Sequence, residues 1–372
     1  MEAKRRIKII QPTDWSFKPM DDYIASGGEA FSVSRFGYEL FKEKGVDVEV
    51  ISPNYDKWIT RFLTKILRHE GSNLLLQLKL IIKSRKYDVV YYSADRHPYL
   101  LALARWLRIC RTPVLMVCHF SYDTRAVNNK LKKTLLRAER WLVYRGMDKI
   151  IFNCETLMRL AEQDGKLPER HKENSGWGAD LNYFARGDKD LNKNIQPYYF
   201  SAGGANRDYH TLISAFKKMP YNIVISCPKE VLLKEAPLTP NIIHFDYSKY
   251  GFERYEKLRS FYQDAKAVLI PITARNHVAN GASVLVEALA CGKPVLISDL
   301  PTDFVDVENE IIGRKVKMHD VNDWISQIEY MEKNPEKVTK MEENSLKLAQ
   351  EKYNYELFSN NVVTHIKKLV NT

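Results

Sequence analysis

The residues best placed to do chemistry lie in Ala267 to Ser298, AVLIPITARNHVANGASVLVEALACGKPVLIS. Two short apolar runs, Ala267 to Ile272 and Pro294 to Ser298, read as buried strands. Between them Val284, Leu285, Ala288 and Leu289 recur at helical spacing, with Ser283 in an N-cap position and Gly292 where a helix stops. In a parallel sheet such a unit places its loop and helix N-terminus at the carboxyl edge, where open α/β sheets bind ligands. A loop containing Asn280, Gly281 and Ala282 lets backbone N–H groups approach an anion beside the positive end of the helix dipole. Glu287 lies one turn further in. A carboxylate there repels a phosphate on the helix axis, but it suits a vicinal diol if it points sideways. Phosphate at the helix start and a diol one turn on together describe a nucleotide. The competing reading makes Glu287 a solvated helix residue, and spacing alone does not separate the two.

The elements that must position this unit follow the same grammar along the chain. Ile7 to Ile10 reads as a first strand, followed by a long loop with Gly27-Gly28, a helix from about Ala30 to Lys44 and a strand at Val46 to Ser52. The glycine pair is not a GxGxxG fingerprint, and a plain turn needs it as often as a phosphate does. Tyr87 to Ser93 and Pro113 to Cys118 are further strands, the latter ending at His119; Tyr99 to Ile109 and Asn128 to Arg145 are helices. The polar run Arg186 to Gln196 reads as an interdomain linker. A second βαβ series then starts, with the strand Tyr198 to Ser201, the turn Gly203-Gly204, a helix at Asp208 to Lys218, strands at Asn222 to Cys227 and Ile242 to Phe245, and a helix at Glu253 to Ala265. Leu346 to Val370 is mostly helical. The expectation is an α/β chain with two doubly wound domains facing a cleft, residues 1–185 and 186–372, with a last helix at about 353–371 that crosses back to the first domain.

Composition narrows the class. A chain of 372 residues can bury two cores. No uncharged apolar run reaches the roughly 18 residues that a membrane-spanning helix needs. The start MEAKRRIKII meets Pro12 and Asp14 too soon for a signal peptide. Five widely spaced cysteines imply neither a metal site nor a disulfide framework, and they suit a reduced, cytoplasmic setting. The net charge of +11 is uneven, because Lys57 to Lys149 alone holds 20 basic and 6 acidic residues. This part of the chain therefore meets an anionic partner. Trp58, Phe62, Ile66 and Leu67 form an apolar stripe flanked by Arg61 and Lys65, and a later basic helix carries Lys132, Lys133, Arg137 and Arg140 beside Leu135, Leu136 and Trp141. Such helices suit an anionic membrane surface. An ordinary helix packed on its sheet is the competing reading.

Several motifs resemble one family. YYFSAGGANRDY, FYQDAKAVLIPI and GASVLVEALACGKPVLIS in the second half, and SGGEAFSVSRFGYELFKEKGVDVEVIS, VCHF and DKIIFNCETL followed by GWGADLNYF in the first, are similar to the GT-B glycosyltransferases, most of all the large retaining family numbered four. The resemblance implies a nucleotide-sugar donor, UDP- or GDP-linked, and no metal cofactor. It implies that Glu287 holds the donor ribose, that Arg207 neutralises the diphosphate, and that His119 faces the donor sugar. Gly27 and Gly28 match a loop that approaches the diphosphate or the acceptor. Gly204, Phe245, Asn280, Gly281, Ala282 and Ser283 complete the donor-binding set. One departure stands out, since the family usually has a further glutamate where this chain has Ala279. Its contact to the sugar comes from another residue, such as Asn280 or His277, or is absent.

In a retaining transfer the leaving phosphate itself can take the acceptor's proton, so no strong enzymic base is required. An inverting transfer needs a carboxylate opposite the leaving group, and Asp123 is the candidate. The resemblance favours retention, and the basic amphipathic helices suit a lipid-linked or polysaccharide acceptor at the inner face of the cell membrane. A sugar-nucleotide epimerase of the same fold would not need the basic helices. A nucleic-acid-binding protein would explain the charge, but no nucleic-acid motif is present.

Overall fold

The computed structural model describes residues 5–29, 35–53, 58–67, 69–93, 96–119, 127–163, 166–185, 195, 197–235, 237–273, 281–300 and 304–371. The chain divides into two compact units: unit 1 comprises Met1–Asp22, Ser34–Gly176 and Glu356–Thr372, and unit 2 comprises Tyr23–Val33 and Trp177–Tyr355.

Unit 1 is built on five strands, β1 (Ile7–Pro12), β2 (Val46–Ile51), β3 (Val89–Tyr92), β4 (Val114–Cys118) and β5 (Lys149–Phe152), in the order β2-β1-β3-β4-β5. All their pairings are parallel. β3 and β4 are buried at every position, as apolar strands covered on both faces must be. The helices Trp58–Leu67, His69–Lys83, Tyr99–Trp106 and Lys130–Gly146 pack in succession, each against the next. The C-terminal helix Tyr355–Val370 lies mostly in this unit, where His365 Nε2 meets Glu173 at 2.7 Å and Asn361 donates to the Ser175 carbonyl at 3.2 Å.

Unit 2 holds β6 (Tyr198–Ala202), β7 (Asn222–Ser226), β8 (Ile242–Phe245), β9 (Val268–Ile270), β10 (Val295–Ser298) and β11 (Gly313–Val316), again all parallel, in the order β11-β10-β9-β6-β7-β8. Counted from β6 this is the 3-2-1-4-5-6 order of dinucleotide-binding sheets. Its core on one face joins Leu212, Phe216, Ile225, Leu269 and Leu296 to Trp324 and Ile328.

The expected α/β, twice doubly wound architecture is therefore present, with local corrections. The loop after β1 contains a helix, Lys18–Ala25, and the next described helix is Tyr38–Glu43, entered through Gly37 at φ 97°, while residues 30–34 of the helix expected from Ala30 lie outside the described residues. The edge strand β11 and the helices Val321–Lys333 and Pro335–Glu351 extend the elements read from the sequence. β11, GRKV, is short and half polar, which suits an edge and hides it from an alternation count. The linker expected at Arg186 to Gln196 lies, Ile195 apart, outside the described residues.

The helix layer of unit 1 depends on one close approach. A Cβ built on Gly146 would stand 2.3 Å from the Ala102 carbonyl oxygen, backbone against backbone. Replacing glycine by alanine within a helix gains up to about 1 kcal/mol of propensity, whereas the overlap costs about 1–3 kcal/mol or more because neither main chain can rotate away. Gly146→Ala is therefore expected to lower the urea midpoint of unfolding. An unchanged or higher midpoint would show that the two helices can separate freely.

Candidate functional site

In unit 2 the strand order reverses between β6 and β9, so the ligand crevice of such a sheet opens where these two strands end. The turn leaving β6 is Gly203–Asp208. Gly203 takes φ 106°, and a Cβ there would stand 2.9 Å from the Arg207 guanidinium, so glycine is required twice over. The turn is fixed from all sides: the Tyr209 hydroxyl donates to the Gly203 carbonyl at 2.7 Å, Asp208 N–H donates to Pro271 at 3.0 Å, and Arg207 forms an antiparallel bridge with Ile272 beyond β9. Asp208 also caps the Tyr209–Phe216 helix through Thr211 N–H at 3.2 Å and meets His319 Nδ1 at 2.7 Å.

Arg207 is thereby held at the switch point. Its Nε donates to the Ala202 carbonyl at 3.1 Å and its Nη1 to that of Ala205 at 3.2 Å. Among the described residues it has no carboxylate partner. Burial pushes its pKa below the usual arginine range, against weaker contributions from Tyr209, Tyr262 and Tyr247. A guanidinium nevertheless stays charged in proteins.

The Ala282–Ala290 helix starts beside it. Gly281, at φ 80°, is the N-cap and supplies no side-chain cap; a Cβ on it would lie 2.7 Å from Ile270 and 3.8 Å from Arg207 Nη2. Ser283 is therefore not the N-cap. It lies exposed in the first turn, because the left-handed turn is made one residue before the helix begins. Two positive features thus share one place, the helix dipole and a guanidinium, without a counter-charge among the described residues, and an anion arriving there satisfies both.

Glu287 points into the protein. The Tyr262 hydroxyl donates to its Oε2 at 2.6 Å. Tyr262 is fully buried and sits edge-on to Phe200 of β6 at 4.8 Å. Enclosure of the carboxyl by protein raises its pKa to about 7, with the tyrosine hydrogen bond holding it back. This is not a solvated helix residue. Tyr262, which the sequence reading did not include, lies 25 positions before its partner, and only the helix Arg254–Asp264 packing along β6 brings it near.

The other donor-site candidates have defined places. Gly204 is open on one side, with Pro228 at 3.0 Å and the Tyr247 hydroxyl at 3.4 Å from a built Cβ. Phe245 ends β8, stacked on Tyr250 at 5.0 Å and edge-on to Phe261 at 5.0 Å. Gly27 and Gly28 end the Lys18–Ala25 helix, since Gly27 at φ 97° and the bond from Gly28 N–H to the Tyr23 carbonyl at 3.0 Å form a C-terminal cap. That segment belongs to unit 2, tied by Tyr23 to Glu256 and by Glu29 to Arg259. Asn280, His277, Ala279 and Asp123 lie outside the described residues.

In unit 1, His119 follows β4 at the carboxyl edge. Asn153 Nδ2 donates to its Nδ1 at 3.3 Å and Phe36 packs edge-on at 4.8 Å. Burial lowers its pKa to about 4, against the opposing pull of Asp14, so the imidazole is neutral at pH 7. The apolar stripe on Trp58–Leu67 faces solvent, with Trp58 72%, Phe62 52% and Ile66 59% exposed, beside exposed Arg61 and Lys65. On the Lys130–Gly146 helix Lys132 and Arg137 are exposed and Lys133 is half-buried. Arg140, expected on the same basic face, is instead buried at 4%. Among the described residues no helix is long and apolar enough to cross a membrane, and no three His, Cys, Asp or Glu side chains cluster as metal ligands.

Two family models match, one for each half: glycosyltransferase family 4 over residues 38–171, and glycosyl transferases group 1 over residues 189–348. The chain is a glycosyltransferase, matched by the family 4 model in its first half and the group 1 model in its second. Solved structures agree in fold along nearly its whole length. Anabaena HepE in complex with UDP-glucose is 17% identical, with a TM-score of 0.67 over 97% of this chain and 100% of that one. A glycosyltransferase from Rickettsia africae is 14% identical, with a TM-score of 0.70 over 99% of each chain. WaaG, a glycosyltransferase involved in lipopolysaccharide biosynthesis, is 12% identical, with a TM-score of 0.65 over 97% of this chain and 99% of that one. No curated protein matches the sequence. The protein is thus a GT-B glycosyltransferase with two Rossmann-like domains, acting on a nucleotide sugar.

The raised pKa of Glu287 in this glycosyltransferase has a stability signature. Between the ordinary glutamate value near 4.5 and about 7 the folded state holds a proton that the unfolded state has lost, so stability falls as pH rises through that window and then levels. Glu287→Gln lacks this loss. The melting temperature of the variant minus that of wild type should therefore rise from pH 5 to pH 7 and stay flat above. Parallel curves would mean that Glu287 is ionised throughout.

Proposed function

We propose that this enzyme transfers a hexose from a UDP- or GDP-linked donor, with retention, to a hydroxyl of a lipid-linked or polysaccharide acceptor at the cytoplasmic face of the cell membrane, in cell-surface glycan biosynthesis. The observation that carries the donor half is Arg207, a half-buried cation with no carboxylate partner among the described residues, beside the N-terminus of Ala282–Ala290, where Gly281 offers no side-chain cap, at the sheet's switch point. In this reading the diphosphate lies against Arg207 and the first-turn N–H groups around Gly281, Ala282 and Ser283. Glu287 accepts hydrogen bonds from the ribose hydroxyls, oriented by Tyr262. UDP and UDP-glucose bound in Anabaena HepE support a UDP-linked donor.

The chemistry follows from where charge develops. As the anomeric carbon–oxygen bond breaks, negative charge builds on the leaving phosphate, where fixed positive groups stabilise it more than in the ground state. The acceptor hydroxyl attacks the anomeric carbon on the face the phosphate leaves, its proton passes to a phosphate oxygen, and glycoside and nucleoside diphosphate result. His119, neutral at pH 7, serves as a hydrogen-bonding group toward the sugar rather than as a cation. Unit 1 supplies the acceptor side and unit 2 the donor side, with the boundary at Gly176–Trp177 rather than at 185–186 and the last helix returned to unit 1.

The membrane part rests on the exposed faces. Of the large apolar side chains that are exposed among the described residues, most belong to the four successive helices from Trp58 to Gly146, the segment that also carries the excess basic charge. A helix packed on its sheet would bury its apolar stripe, and here Trp58, Phe62 and Ile66 are outside. WaaG's part in lipopolysaccharide biosynthesis supports a membrane-borne acceptor.

Turnover of a panel of nucleotide sugars with a lipid-linked acceptor tests the reading as a whole. Arg207→Ala and Glu287→Ala should each weaken binding of the matching nucleoside diphosphate by about 1.5–3 kcal/mol, the range for hydrogen bonds to charged groups. His119→Ala should lower kcat more than it raises the donor KM. Calorimetry showing unchanged diphosphate affinity in both donor-site variants would remove the assignment.

A further inference from the structure

Unit 1 carries a pocket that the donor site does not use. Ser84–Lys86 leads from the His69–Lys83 helix into β3, and residues 107–112 lead from the Tyr99–Trp106 helix into β4. Both connections lie at the amino edge of the parallel sheet, opposite the edge that carries His119. Between them is a cavity of about 670 Å³ lined by Arg85, Arg108, Ile109, Arg111 and Thr112. No carboxylate contributes to the lining, and none of the three arginines has a salt bridge among the described residues.

The walls are built by tertiary bonds. Thr112 Oγ1 donates to the Ser84 carbonyl at 2.8 Å, and Arg105 Nη1 donates to that of Cys110 at 3.3 Å. Arg108 takes φ 58° just past a helix end, where glycine is the usual residue. The C-terminal ends of the two helices bring about half a negative charge each, which explains why arginines rest there without acids. Three guanidinium groups outweigh these two half-charges, so the pocket still attracts an anion. Ile109 of the lining is 54% exposed, and the residues next to the arginines in the chain are apolar and exposed too: Ile82, three before Arg85, is 73% exposed, and Leu107 precedes Arg108.

We propose that this pocket binds the phosphate of an anionic bilayer lipid, giving the enzyme a second attachment point apart from the Trp58–Phe62 face; this deepens the membrane-docking part of the proposed function and rests on it. The exposed apolar side chains adjoining the arginines decide between sources of phosphate. A soluble anion needs only the cations, whereas Ile109 of the lining and its exposed chain neighbours Ile82 and Leu107 gain by burial only if the ligand arrives embedded in hydrocarbon.

Flotation with phosphatidylcholine vesicles, with and without phosphatidylglycerol at low salt, compares the full-length wild type, the pocket variant Arg85→Gln/Arg111→Gln and the face variant Arg61→Gln/Lys65→Gln/Lys132→Gln/Lys133→Gln. Thermal melting checks that each is folded. The wild type should float with the anionic vesicles, and the pocket variant should bind them about thirtyfold more weakly, from the contribution of two basic residues near an anionic leaflet. If the pocket variant floats like wild type while the face variant is lost, the pocket inference is overturned and membrane docking stands. If wild type ignores anionic vesicles, both fall. If glycerol phosphate binds wild type with the same arginine dependence while flotation is unaffected, the ligand is a soluble anion and the lipid assignment is wrong.

Discussion

The proposed donor site depends on a positive charge that no described carboxylate balances. Half-burying a guanidinium beside tyrosines costs free energy, and setting it beside a helix N-terminus adds to that cost. The surrounding structure is what enforces it. Gly203 leaves room for the side chain, the Ala202 and Ala205 carbonyls orient it, and the bridge from Arg207 to Ile272 prevents the turn from swinging out to solvent. A site held in this state is poised for an anion, and free energy withheld in the empty protein returns when the anion binds.

Glu287 shows the complementary arrangement. One turn inside the same helix, a carboxyl is enclosed until its pKa approaches 7, and a single buried tyrosine hydroxyl keeps it from rising further. Cation at the helix start and a carboxylate five residues on give the site opposite preferences about 7.5 Å apart along the axis, from the 1.5 Å rise per residue. A diphosphate joined to a ribose is complementary to that order, an anion followed by hydroxyl donors, so on the proposed reading a nucleotide satisfies both ends and a simple anion only one.

Much of this was legible in the chain. Every strand but the edge strand β11, and the Ala282–Ala290 helix, follow from apolar runs, and the place of Glu287 one turn inside that helix follows from its spacing, whereas Arg207 follows only from the resemblance to the family. What was hidden arises from contacts between distant segments or from backbone angles. Tyr262 comes to Glu287 only through the packing of Arg254–Asp264 on β6. Gly27 and Gly28 read as a possible phosphate loop, yet their backbone closes a helix that Pro19, among polar neighbours, disguised. Ser283 has the chemistry of an N-cap, but Gly281 takes the left-handed turn first. Arg140 sits at helical spacing with the basic face and is nevertheless turned inward, because a helix of 17 residues wraps more than one face past a fixed set of neighbours.

The measurement that bears most directly on the donor site is a crystal structure of the protein grown with UDP. The account predicts the diphosphate against the Arg207 guanidinium and the N–H groups at Gly281 and Ala282, with both ribose hydroxyls on the Glu287 carboxylate and the Tyr262 hydroxyl still on Oε2. A nucleotide bound elsewhere in unit 2, or bound at the switch point with its ribose turned away from Glu287, would contradict it.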